Sequence, residues 1–159
     1  MKSLLAILVA LIVSGCSTTL TGKIVPPYPE GLETKHGACI AHALGRDRFC
    51  ELAVGDLRRI GKEPFALIVK REIGRSGKSA IWKVTDQVSW PKHHQDSYVS
   101  LGVCSLNGVV DHSIIAVVIE SDEQWHLASD WAMKVNLQNG KLSPISPEGV
   151  QCENEGWGI

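Results

Sequence analysis

The chain has 159 residues, with 16 basic and 17 acidic side chains and a formal net charge of −1. That length supports one domain with a real core rather than two. The near-balanced charge supplies no global basic field of the kind that holds nucleic acid.

The first element is an apolar run. Lys2 and the free amine form a small positive region, and Leu4 to Val13 follow without a polar side chain. About ten apolar residues are too few for a membrane span, which needs roughly 20, but they suit the core of a signal peptide. The run ends in Val13-Ser14-Gly15-Cys16. This stretch resembles the lipobox of bacterial lipoproteins, over the first 17 residues only. The resemblance implies a diacylglyceryl group on the Cys16 sulfur, cleavage before Cys16 and acylation of the new amine. Several acyl chains, at about 0.8 kcal/mol per buried methylene, would hold firmly where a single chain is marginal. Ser17 stands where enteric-type lipoproteins retained at the inner membrane carry Asp. The resemblance therefore implies an outer-membrane address with the domain on the periplasmic face. Removing residues 1–15 leaves 15 basic and 17 acidic side chains.

Residues 16–37 are polar and hold three prolines between Pro26 and Pro29, which reads as a lipidated Cys followed by a proline-stiffened tether. A flexible chain of that length reaches roughly 25 Å. Residues 38–159 then form a single globular domain.

Four cysteines remain after Cys16: Cys39, Cys50, Cys104 and Cys152. An even number in an exported chain argues for two disulfides. Cys39–Cys50, closing a short loop, and Cys104–Cys152, pinning the tail, are the favoured pairs among three possible connectivities. Their spacings match no zinc pattern.

Further along, Leu52, Val54, Leu57 and Ile60 are partly helical in spacing and predict a short helix, weakened by Gly55. Phe65–Ile73 and Ser79–Val84 read as strands around a Gly-punctuated hairpin loop. Gly77-Lys78-Ser79 ends like a nucleotide-binding loop, but Glu72 occupies the position where that loop needs its first Gly. In the stretch Tyr98–Ser105, Val99, Leu101 and Val103 fall on one face and Cys104 on the other. Ile114–Ile119 is continuously apolar, as in a central strand covered on both sides. Asn139-Gly140 supplies turn residues for a hairpin between two strands. The five tryptophans are expected in the core and on the sheet faces, with Trp157 packed by a tail disulfide.

Strand after strand, with one or two short helices, gives an α+β domain with a mainly antiparallel sheet. A small all-β sandwich or barrel is the alternative. Charge is uneven: Arg46–Lys83 carries a net +5 and Asp111–Ile159 a net −6. The simplest expectation is that opposite charges pair between the halves or lie on solvated faces, and the sharper one is a two-signed surface that orients a charged partner.

Chemistry-bearing clusters are few. His93, His94 and Asp96 could donate to a metal, but adjacent histidines on a strand point apart, and a solvated loop is favoured. His112, Asp111, His126 and Ser129 nominate a hydrolase cluster without a nucleophile elbow. No catalytic residue and no cofactor is assigned. The expected role is a non-enzymatic binding module for a protein or envelope polymer, of inhibitor, immunity or assembly-accessory type. An envelope hydrolase built on the His/Asp/Ser cluster is the alternative.

Overall fold

The computed structural model describes residues 19–41 and 50–158. The signal segment and Cys16 lie outside them. Thirteen strands and no helix occur among the described residues. The first sheet holds β1 (Ile24–Val25), β2 (Leu32–Glu33), β3 (Gly37–Ala41), β4 (Leu52–Arg59), β5 (Pro64–Ser76) and β6 (Ser79–Ser89). Its order is β1-β6-β5-β4-β2, with β3 also on β4. The second holds β7 (Ser97–Leu101), β8 (Cys104–Leu106), β9 (Val109–Val110), β10 (Ile114–Ile119), β11 (Trp125–Asn136), β12 (Lys141–Pro144) and β13 (Val150–Glu153). Its order is β7-β10-β11-β13-β8-β9, with β12 also on β11. The α+β expectation is thereby overturned, and the all-β alternative describes the domain.

The segment read as a short helix is β4. Leu52 and Val54 face one side, against Leu67, Val69, Ile115 and Val135 between the two sheets. Leu57 faces the other, with Ala66, Ile68 and Val84. Both faces are covered, so the period-two signal is hidden under a continuous apolar run. Gly55 is there for close approach: a Cβ would lie 3.3 Å from the His36 carbonyl oxygen. Each fully buried aliphatic side chain contributes about 1.5–3 kcal/mol as an upper estimate.

The cover on the outer face comes from the residues expected to be a tether. Leu20 and Val25 are buried against Leu57, Ile68 and Val84, and Tyr28 and Leu32 pack beside them. The Leu20 N–H donates to Gln87 Oε1 at 2.8 Å, the Gly22 N–H donates to the Val84 carbonyl of β6, and the Val84 N–H donates to the Lys23 carbonyl. The proline-rich segment is thus part of the sheet from Leu20 onward.

The second sheet curls. A register shift between Ala116 and Val118 bends β10, and Ile114, Ala116 and Val118 enclose a further core with Val150, Cys104 and Cys152. Cys104 and Cys152 are directly opposed on β8 and β13 and bridged. The Glu153 N–H bond to the Val103 carbonyl makes theirs a non-hydrogen-bonded pair, where side chains come closest. Cys39 and Cys50 are also bridged, near the end where the chain passes from β3 to β4.

The two flanks of the sandwich differ. Where β6 meets β12, the Leu142 N–H donates to Asp86 Oδ2 at 2.8 Å, and Thr85 Oγ1 donates to the Gly140 carbonyl at 2.9 Å. This flank is sealed. On the other, β3 and β7 are not paired. They come close at Gly102, just past β7, where a Cβ would stand 3.2 Å from Ile40 Cγ2 and from the His112 carbonyl oxygen, and where φ is +81°. The kink at Gly102 also divides the expected Tyr98–Ser105 strand into β7 and β8.

The tryptophans form no buried cluster. Trp90 and Trp131 border the inter-sheet core, Trp82 lies on the outer face under Lys70, and Trp157 is 51% exposed. The packing expected of Trp157 is not observed, because the Asn154–Gly158 turn carries it past the end of β13.

Candidate functional site

The unsealed flank opens into a groove of about 820 Å³. One wall is β7, from Tyr98 to Leu101, and the other is the start of β3 with Lys35 and His36. Its floor and rim come from the β10–β11 turn and from the tail after β13, which contribute Glu120, Asp122, Glu153 and Glu155. No ion pair of these four carboxylates occurs among the described residues. Among the described lining residues Lys35 is the one lysine or arginine, so their charge is strongly negative.

The turn is fixed from within. His126, on β11 and only 2% exposed, accepts the Ser121 N–H at Nδ1, at 3.1 Å, with Ser121 Oγ also 3.1 Å away. Asn154 Nδ2 donates to the carbonyls of Glu123 (3.1 Å) and Ser121 (3.4 Å), tying the tail to the turn. The His126 ring meets Tyr98 edge-on, with centroids 5.7 Å apart at 84°. Burial, then the charges of Glu155 and Glu120, push the Tyr98 hydroxyl above its ordinary pKa.

A second hollow of about 470 Å³ lies beyond Tyr98 and Val99, against the buried carboxylate of Asp56. Asp56 Oδ1 accepts the Lys35 and His36 N–H groups at 2.8 Å each, and Oδ2 is held by Arg58 and by His36 Nδ1 at 3.2 Å. Burial alone would raise its pKa. The bonds from the His36 N–H, Arg58, the Lys35 N–H and the His36 ring outweigh that and hold it below the ordinary range. This cluster ties the start of β3 to β4. No residue of it was singled out in the sequence, because its members lie some twenty positions apart in stretches read as tether and helix.

The nominal hydrolase residues do not converge. Asp111 is engaged with Ser113 and with Lys134 Nζ at 2.8 Å. Ser129 Oγ donates to the Val117 carbonyl at 3.3 Å and lines a separate hollow with Leu127 and Pro147. His112 Nδ1 donates to the Gly102 carbonyl at 2.7 Å on an exposed loop. The Ser121–His126 contact has nucleophile and base types within reach. The Nδ1 lone pair already takes the Ser121 backbone N–H, though, and no carboxylate orients the ring among the described residues. The geometry is that of a turn clamp, not of a relay. His93 Nδ1 donates to the neighbouring His94 carbonyl at 3.0 Å. No three His, Cys, Asp or Glu side chains among the described residues are placed to hold a metal ion. No family model, no curated protein and no solved structure matches the chain.

Proposed function

We propose that this protein is a lipoprotein of the bacterial outer membrane, anchored through acyl chains on Cys16 and facing the periplasm. Its domain acts as a non-enzymatic binding module for a protein or an envelope polymer. The lipobox-like Val13-Ser14-Gly15-Cys16 supports the address. Two disulfides in the domain agree with an oxidising compartment. The observation that carries the binding role is the groove beside β7: concave, lined by four carboxylates with no ion pair among the described residues, and ending at Gly156, whose chain neighbour is the exposed Trp157. Exposed aromatic side chains beside a recess are the usual anchors of protein recognition.

Two measurements test this reading. Cys16→Ala leaves an uncleaved, unlipidated precursor; normal processing of that variant refutes the anchor. A photo-crosslinking residue in place of Tyr98, activated in intact envelopes, yields one reproducible adduct. Its absence there, with adducts equally absent from other faces, refutes the binding role.

A further inference from the structure

Four consecutive residues of β7, Tyr98 to Leu101, line the groove. Successive side chains of a strand point to opposite faces, so a hollow that touches all four runs along the strand's edge. β7 ends its sheet, and β10 is the one described strand paired with it. The bond from the Glu120 N–H to the Asp96 carbonyl sets the alternation. Asp96, Tyr98 and Ser100 turn their backbone groups toward β10, while Val99 and Leu101 turn theirs outward. Ser97 also faces outward, but its N–H is taken by the His94 carbonyl at 3.2 Å. Val99 and Leu101 therefore offer an open ladder inside a recess.

His126 adds an independent observation. Its Nδ1 accepts a backbone N–H, so the ring proton resides on Nε2. The residue lines the groove at 2% exposure, and Nε2 has no partner among the described residues. This N–H keeps access to solvent, and a peptide carbonyl would accept it in place of water.

We propose that the free edge of β7 takes an extended segment of a basic polypeptide as an added strand. This rests on the binding-module reading and names its partner class. Main-chain bonds to Val99 and Leu101 give the pairing, as in other cases of strand addition. A five-residue edge spans about 17 Å. Lysine or arginine side chains of the segment meet Glu120, Asp122, Glu153 and Glu155, and Trp157, next to the lining Gly156, offers a cation a ring face. A second copy of this chain would bring the same carboxylates to the same place, and an anionic polymer would be repelled likewise.

The test uses the mature lipidated protein in non-ionic detergent and three capped peptides of about eight residues. The first alternates Lys and Val, the second alternates Glu and Val, and the third is the first with alternate backbone nitrogens methylated. The Lys–Val peptide binds, more weakly as salt rises, and slows amide exchange at Val99 and Leu101. The Glu–Val peptide does not bind. Backbone methylation weakens binding about tenfold, and so does joint Glu120→Lys and Glu153→Lys substitution, with the thermal midpoint unchanged. No binding by the Lys–Val peptide, equal binding by the methylated one, unprotected Val99 and Leu101, or a dimer joined through β7 each overturns strand addition. If those results coincide with a crosslinked adduct at Tyr98, the binding module stands without a strand-like partner. If no adduct forms anywhere, both fall.

Discussion

Asp56 is fully buried on the inner face of β4, and its four partners come from residues 35, 36 and 58. Asp56→Ala strands two backbone N–H groups and a guanidinium that is only 11% exposed. Breaking such a buried pair costs about 3–5 kcal/mol, read as a drop in the urea midpoint at neutral pH. The pH dependence has a definite sign. The folded carboxyl titrates below its ordinary value of 3.8, so its contribution is complete above that value and is lost as pH falls through the lowered one. Wild type therefore loses stability as pH falls below about 5 more steeply than Asp56→Asn does. At Tyr98 the sign is the reverse. Its hydroxyl ionises late because of burial and of Glu155 and Glu120. Joint Glu120→Gln and Glu155→Gln brings the transition back toward the ordinary tyrosine range, seen by ultraviolet titration against a Tyr98→Phe blank. No signal in the sequence marked either residue. Their environments are assembled from positions far apart in the chain, and only the acidic excess of the C-terminal third hinted at the field around Tyr98.

At the scale of elements, continuous or clearly punctuated strands were legible and two-sided or kinked ones were not. Ile114–Ile119 is the central covered strand that its apolar run predicts. The Gly77-Lys78 hairpin joins β5 and β6 with Ser76 opposite Ser79. The tightest Asn-Gly turn is elsewhere than expected. Asn107 and Gly108, at φ +52° and +80°, connect β8 and β9 as a two-residue turn of the primed type. After β11 the loop is four residues long, Leu137–Gly140, and of the Asn139-Gly140 pair Gly140 alone has positive φ. The two glycines separate strain from crowding. Gly108→Ala meets open space and costs about 1 kcal/mol for its backbone conformation. In Gly140→Ala the new Cβ also meets the Thr85 Cβ at 2.8 Å. That variant loses about 2–3 kcal/mol, and comparative denaturant melts rank the two.

For the whole molecule, the charge asymmetry was legible in the sequence, but not the groove around which its acidic part gathers. The basic stretch 46–83 supplies β4, β5 and part of β6, and the acidic stretch 111–159 supplies most of the second sheet. Among the described ion pairs, only Lys141–Asp86 joins the two sheets; the others stay within one. Among the described residues the acidic side chains around the groove thus lie on a solvated face without an ion pair, the second of the two expected arrangements. Disulfides contribute at the same scale. Removing Cys104–Cys152, which spans 48 residues, costs about 2–5 kcal/mol and more than removing Cys39–Cys50, which spans 11. Paired Cys→Ser variants compared in urea measure the difference. Helix was expected because alternation is invisible in a strand buried on both faces, and what buries β4 from outside is a proline-rich segment with no strand pattern of its own.

That segment changes the mechanics of attachment. Leu20 is locked onto the outer face of the first sheet, so only Ser17, Thr18 and Thr19 separate it from Cys16. Four residue steps extend at most about 14 Å. With the proposed lipid on Cys16, the domain rides on a short stalk close above the headgroups instead of on a long leash. The stalk enters beside β6, at one border of the first sheet, and the groove opens beside β3, at the other. The proposed point of attachment and the acidic groove therefore stand at opposite borders of that sheet.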